Sequence, residues 1–342
     1  MGISKCGRWI GSVPCPLSSR ESWMRLALRL LLLVLSLAVA VRPTAAAPLL
    51  TRNLYLPFLA FYAPPPLAAA PPAAWRGAIS LDYASLFQVE DRAARETVVD
   101  VELARLALHL GRRLTPRWAV DGELPMIETS GGVLDDFISD WHRTFYLPDG
   151  GRASAPANRH LYRLRVAGKT LLDEEGASYG AGDVAATLTW LALPSPGARL
   201  AIRLGVKAPT AGPRLGPRGS GGWDLAAGAV AEAEEGVWAT ALHLGVVLPT
   251  GVAEVTTRPF ATGLVEVAWR RLPTLPLTVA VAGQTSPYHT GVAVLDRPAV
   301  ELRLGASHPL SATTAVELAF VEDLTHKTTP DFSLHLAMRW SR

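Results

Sequence analysis

The sequence predicts an all-β protein, a transmembrane antiparallel up-and-down β-barrel, and three observations carry the prediction. The last strand-like run, Asp331 to Trp340, alternates without a break, with Phe332, Leu334, Leu336, Met338 and Trp340 on one face and Ser333, His335 and Arg339 on the other. One face suits lipid and the other water. An export signal opens the chain, and runs of about ten alternating residues recur between the two ends, the length of a tilted strand crossing a bilayer.

The signal is read from charge and small residues. Lys5, Arg8, Arg20, Arg25 and Arg29 precede an uncharged stretch from Leu30 to Val41, and Thr44-Ala45-Ala46-Ala47 offers an A-x-A-like site cut after Ala46. Residues 1–46 are therefore expected to be a signal peptide, with Met24 an alternative start. The apolar stretch is too short for a stable membrane anchor. Cutting there removes Lys5, five arginines and Glu21, so the full chain's +3 becomes 27 basic against 29 acidic side chains, about −2. A nucleic-acid partner loses its support, because the excess positive charge belongs to the presequence. Cys6 and Cys15 leave with it, so no disulfide framework is expected.

Residues 47–77 form a Pro/Ala-rich segment, including Pro64-Pro65-Pro66, that reads as extended and belongs either in the lumen or in the periplasm. Residues 78–342 are the expected barrel. Alternation is found near 78–87, 97–110, 117–126, 182–193, 198–208, 223–233, 237–248, 262–271, 276–284, 298–306, 313–322 and 331–340. From residue 182 onward, short connections and long ones alternate, as short periplasmic turns and long outer loops do. Parity favours twelve strands with an outside excursion over 127–181; fourteen would need 56–62 and 159–167 to cross as well. LGVKAPT at 204–210 and LGVVLPTG at 244–251 repeat strand-end chemistry, with Pro209 and Pro249 ending the donor ladder. Trp190, Trp223, Trp238, Trp269 and Trp340 stand near strand ends, where an indole suits the interface.

Gly131 to His142, Gly180-Ala181-Gly182-Asp183, Lys207-Ala208-Pro209-Thr210, Gly219-Ser220-Gly221 and the closing Val321 to Phe332 occur in an order that resembles the bacterial outer-membrane family known as domain of unknown function 3187. The resemblance spans most of the chain after the presequence. It implies an outer-membrane barrel and brings neither activity nor site residues. Outer-membrane barrels commonly end on Phe or Trp, whereas Ser341-Arg342 follow Trp340 here.

Leu134, Phe137, Ile138, Trp141 and Phe145 keep the spacing of one helix face, behind Asp135 and Asp136, and are expected to form a rim helix. Asp136, Ser139 and His142 lie three residues apart on it. A hydrolase would need them to converge on an oxyanion hole, yet no G-x-S-x-G elbow is present, so no catalytic residue is assigned and an outer-membrane lipid hydrolase is kept only as an alternative. Arg203, Lys207, Glu266, Arg270, Glu301, Arg303, Glu317, His335 and Arg339 fall on the polar parity and are expected to line the lumen. No P-loop, dinucleotide fingerprint, CxxC or EF-hand spacing occurs, so neither cofactor nor metal is expected. The expected partners are outer-membrane lipid and the barrel-insertion machinery. A passive channel or transport barrel for small solutes or lipids follows, with a non-conducting structural barrel as its competitor.

Overall fold

A computed structural model describes residues 48–69, 74–92, 95–146, 151–152, 155–195, 197–252, 255–325 and 327–342, and omits the side chains of residues 91, 92, 95, 141, 142 and 145. The expected signal peptide, with Cys6 and Cys15, lies outside the described residues. Twelve strands close into an antiparallel barrel: β1 (Trp75–Arg92), β2 (Arg95–Arg113), β3 (Trp118–Ser130), β7 (Val184–Ser195), β8 (Ala198–Ala208), β9 (Asp224–Glu235), β10 (Trp238–Pro249), β11 (Phe260–Trp269), β12 (Leu277–Gln284), β13 (Ala299–Pro309), β14 (Thr314–Asp323) and β15 (Phe332–Ser341). The first strand pairs with the last from Arg76↔Ser341 to Ser85↔Phe332, so the ring has no free edge. Among the described residues, no helix is long and apolar enough to cross a membrane.

Alternation decides which way each side chain points. Ile79, Leu106, Leu204, Leu244, Val265, Val281, Leu318 and Leu334 stand exposed on the outside, while Ala78, Ser80 and Asp82 are buried within. The closed ladder pairs backbone donors and acceptors within the protein, as a membrane demands, and alternation puts an apolar belt outside and polar side chains within. At the end with the short turns, Trp75, Trp118, Trp190 and Trp238 are exposed, and the paired Trp118 and Trp190 stack at 6.2 Å.

Three further strands leave the ring at the long-loop end, within the expected excursion. β4 (Leu161–Val166) extends the sheet from the upper part of β2, and β5 (Lys169–Glu174) pairs with β4 through a turn at Ala167 and Gly168, both with positive φ. β6 (Ser178–Ala181) lies on the upper part of β3. Two short helices, α1 (Leu56–Leu59) and α3 (Ala293–Asp296), join the longer α2 (Asp135–Phe145). The fourteen-strand alternative fails on particulars: residues 56–59 are helical, and β4 pairs above the ring rather than within it. Both copies of the seven-residue motif lie at strand ends, where Thr210 Oγ1 accepts from Val184 N and Thr250 Oγ1 donates to Trp223 O.

The interior is filled by the chain's own N-terminal segment. Residues 48–69 enter at the short-turn end, turn through α1 at the long-loop end and return. The turn sits in an apolar core built from Leu56, Phe58, Leu59 and Phe61 with inward residues Leu86, Val101 and Phe260 and the loop residues Tyr288, Val294 and Leu295. Phe61 meets Tyr288 and Phe260 edge to face, at 5.4 and 6.2 Å. The long-loop half of the bore thus carries the apolar core, with the Lys207, Asp183 and Asp224 cluster and Glu90 at its margin, while the network from Arg52 to Arg339 lies in the other half.

Candidate functional site: a charged wall around an inserted segment

Two limbs, 48–55 and 60–69, run through the polar half of the barrel, and wall side chains bond to their backbone. On the first limb, Leu49 N donates to Glu266 at 3.1 Å and Leu50 N to Glu317 at 2.7 Å. Arg303 donates to Thr51 O at 3.0 Å, and Arg339 donates to Pro48 O. On the second limb, Lys207 donates to Ala60 O at 3.0 Å, and Arg203 donates to Leu67 O and, at 3.0 Å, to Ala68 O. Tyr62 N donates to Asp224 and Ala69 N to Glu232. Carboxylates take the amides and cations take the carbonyls, so the wall satisfies backbone groups that an extended, buried segment could not satisfy alone.

One ion pair joins segment and wall through side chains. Arg52 meets Glu123 on β3 at 3.0 Å and reaches Phe61 O on the other limb at 3.4 Å. Glu123 also binds Arg105 on β2, which meets Asp82 on β1 at 3.0 Å. Asp82 is 2.6 Å from His335, His335 is 2.9 Å from Glu317, and Glu317 is 2.6 Å from Arg339. This chain of charges crosses the β1–β15 seam, so the wall is continuous where the sheet closes.

Small residues make the geometry possible. Gly111 on β2 lies between Arg76 and Asp121, whose ion pair at 2.6 Å passes over it; a Cβ there would sit 2.0 Å from the Asp121 carboxylate. Lys207 is enclosed by Asp183 at 2.6 Å, Ser220 at 2.7 Å and Gly222 O at 3.2 Å, besides Ala60 O. That cluster ties the second limb to the loop after β8.

Of the residues expected along the lumen, Arg203, Lys207, Glu266, Glu301, Arg303, Glu317 and His335 are buried and Arg339 is largely so. All but Glu301 and His335 contact the inserted segment directly; Glu301 holds Arg303 at 2.9 Å and His335 bridges two carboxylates. Arg270 stands apart, beyond the end of β11 and 3.2 Å from Glu234. Sequence reasoning passed over Asp82, Arg105, Asp121 and Glu123. They follow the same alternation in β1 to β3 and could have been read there.

The expected rim helix is α2, at the long-loop end. Glu102 on β2 accepts from Val133 N at 2.7 Å and Leu134 N at 2.5 Å, just ahead of its first turn. Asp135 pairs with Arg152, which also meets Asp331 at 2.6 Å. Ile138 is buried, Leu134 half-buried, and Phe137 exposed but 5.8 Å from the ring of Phe332. The side chains of Trp141 and Phe145 lie outside the described residues, as does that of His142, so the Asp136, Ser139 and His142 trio is not seen as a set. Asp136 is exposed and Ser139 half-buried. No cluster of three or more metal-ligating side chains occurs among the described residues.

Two cavities flank the inserted segment. One of about 80 Å³ lies against β8 to β13, lined by Arg52, Arg203, His243 and Arg303 among others. The other, of about 140 Å³, opens towards the short-turn end between Leu50, Leu67, His109 and Arg339.

Similarity to known proteins agrees with this architecture. An outer membrane channel of the COG4313 group from Pseudomonas putida F1 superposes with a TM-score of 0.53 at 13% identity, over 79% of this chain and 96% of that one. The NanC porin follows at 0.46 and 6%, over 78% and 100%, and a Pseudomonas aeruginosa FadL homologue at 0.41 and 10%, over 88% and 100%. At these identities the first superposition speaks for the fold, that of outer-membrane barrels. No curated protein matches the chain significantly in sequence. Residues 47–341 match the model of the family described as protein of unknown function, DUF3187, and the chain belongs to that family.

Proposed function

We propose that this protein is exported by its N-terminal signal, resides in the outer membrane with its long loops outside, and serves as a passive channel or transport barrel for small solutes. One observation carries the reading: the polar half of the bore is lined by Arg203, Glu266, Arg303, Glu317 and Arg339, and what occupies it is a segment bonded through its backbone rather than a packed apolar core. A barrel needed only as a rigid wall gains little from burying so many charges, since each costs several kcal/mol to desolvate. Passage requires the limbs to shift. The competing reading, a non-conducting structural barrel, draws on the dry core around Phe58 and Phe61.

Planar-bilayer recording of the intact protein beside Arg203→Glu separates them. Arg203→Glu turns attraction for three carbonyls of the second limb into repulsion. A channel responds with longer or more frequent openings. Absence of current from both proteins, each verified as folded by heat-modifiable migration, would leave the structural barrel.

A further inference from the structure

We propose that the 80 Å³ cavity beside Arg203 is a binding site for the carboxylate of a short-chain organic acid. Arg203 is 4% exposed, and among the described residues no carboxylate stands within 4.0 Å of it and its terminal nitrogens reach only carbonyls and His243. Carbonyl oxygens supply dipoles but no counter-charge. A buried guanidinium so placed lacks the neutralising partner that buried charges otherwise have.

The same cavity collects donors. Arg203 Nη1 lies 3.3 Å from His243 Nδ1, and since a guanidinium only donates, Nδ1 accepts and the proton of a neutral imidazole sits on Nε2. That Nε2 has no partner, and neither do the Nε atoms of Arg52, Arg203 and Arg303, all of which line the cavity. The side chains that carry these four N–H groups all line this one space, in an interior where nearly all such groups are paired. Two unpartnered acceptors, Thr51 Oγ1 and Glu301 Oε1, are also present. Glu301 already holds Arg303 at 2.9 Å, and Glu123 holds Arg52, whereas the carboxylates acting on Arg203, Asp121 and Glu232, stand beyond ion-pair distance.

The remainder of the lining sets a few polar side chains, Asn53, Tyr62, Thr187, Thr262 and Gln284, among small residues. Gly205, Ala226, Gly228, Ala282 and Ala299 take inward positions along β8 to β13 and present methyls or bare backbone. An oxyanion at Arg203 with a short alkyl chain along these residues matches both sides of the cavity; a phosphate would match only one. The site stands whether or not the barrel conducts, because binding is measured in solution.

The test is calorimetric titration of propionate, and separately of inorganic phosphate, into the intact detergent-solubilised protein in chloride buffer. Propionate is expected to give a saturable one-to-one heat. Arg203→Gln should weaken binding at least tenfold, and Ala282→Leu, which fills the space without touching charge, should abolish it; heat-modifiable migration shows that each variant is folded. Absence of a saturable propionate heat overturns the site, as does unchanged affinity in whichever variant folds. Phosphate binding as tight as propionate overturns the assignment to an organic carboxylate.

Discussion

Arg52 and Glu123 are 3.0 Å apart, one on the inserted segment and the other on the barrel wall, and Glu123 simultaneously binds Arg105. Removing either partner therefore has unequal consequences. Glu123→Ala leaves Arg105 with Asp82 alone and takes from Arg52 its carboxylate at 3.0 Å, whereas Arg52→Ala leaves Glu123 neutralised by Arg105. Breaking a buried ion network costs on the order of 3–5 kcal/mol, so Glu123→Ala should approach that and Arg52→Ala fall well below it. Urea unfolding in lipid vesicles gives the order; equal losses would contradict it.

Gly111→Ala tests how closely the wall is fitted. Its Cβ would lie 2.0 Å from Asp121 Oδ1, and the Arg76–Asp121 pair must part or the strands must move. A loss of roughly 1–3 kcal/mol is expected in the same unfolding assay, as for other overpacked positions. Gly122→Ala, one residue along β3 with no contact nearer than 3.9 Å, should cost far less.

The apolar belt makes a sharper claim about lipid. Leu204 is 56% exposed on the outer face of β8, next to the inward Arg203. Leu204→Arg should destabilise the protein by about 2–4 kcal/mol if this residue lies near the bilayer midplane. A loss under 0.5 kcal/mol would place it outside the hydrocarbon.

Acid should loosen the sheet extension before the barrel. His160, just before β4, accepts from Gly176 N through Nδ1 at 2.9 Å and meets Thr129 at 3.1 Å through Nε2. Half-burial holds its pKa below the ordinary 6.5, favouring the neutral ring. The folded state thus binds fewer protons there than the unfolded one, so this contribution is full above pH 6.5 and declines as pH falls below it. Hydrogen exchange over 157–181, corrected for intrinsic rates, should accelerate on acidification while β8 to β13 stay protected; His160→Gln should flatten the dependence.

Glu102 is expected to govern α2. Glu102→Ala frees the amides of Val133 and Leu134, removing the anchor ahead of the first turn. Limited proteolysis should then cut within 131–146 while heat-modifiable migration persists. Resistance equal to the parent would show that Arg152 and Ile138 hold the helix without it.

What the sequence reveals follows from what the contacts are made of. Along β8 to β15 most inward charges alternate with outward apolar residues, because one face must meet lipid, and parity exposes both faces at once. β4 and β5 stand above the ring, with Arg163 and Asp173 paired at 2.7 Å and no lipid to face, so their alternation is weak. The inserted segment was harder still. Arg203, Glu266, Glu317 and Lys207 recognise its amides and carbonyls, groups common to almost every residue, so the letters from Pro48 to Ala69 carry little trace of the partners. A run of Pro and Ala states only that the backbone is extended and without a ladder of its own.

Both limbs of that segment use one mouth, and α1 lies at the far end of the bore, which sets two very different timescales. Drawing the whole segment out would drag Leu56, Phe58, Leu59 and Phe61 past the charged half, and at about 1.5–3 kcal/mol for each large side chain the loss is roughly 6–12 kcal/mol before any hydrogen bond is counted. Sliding one limb aside breaks a few backbone contacts, each with a net worth of about 0.5–1.5 kcal/mol, or up to about 3 where the partner is charged. Extraction forfeits the apolar core as well as the hydrogen bonds to the wall, whereas sideways displacement forfeits only the bonds of one limb, so extraction is the rarer event. A solute small enough for the gap left by one limb would move at the faster rate, and one that needed the bore empty would wait for the slower.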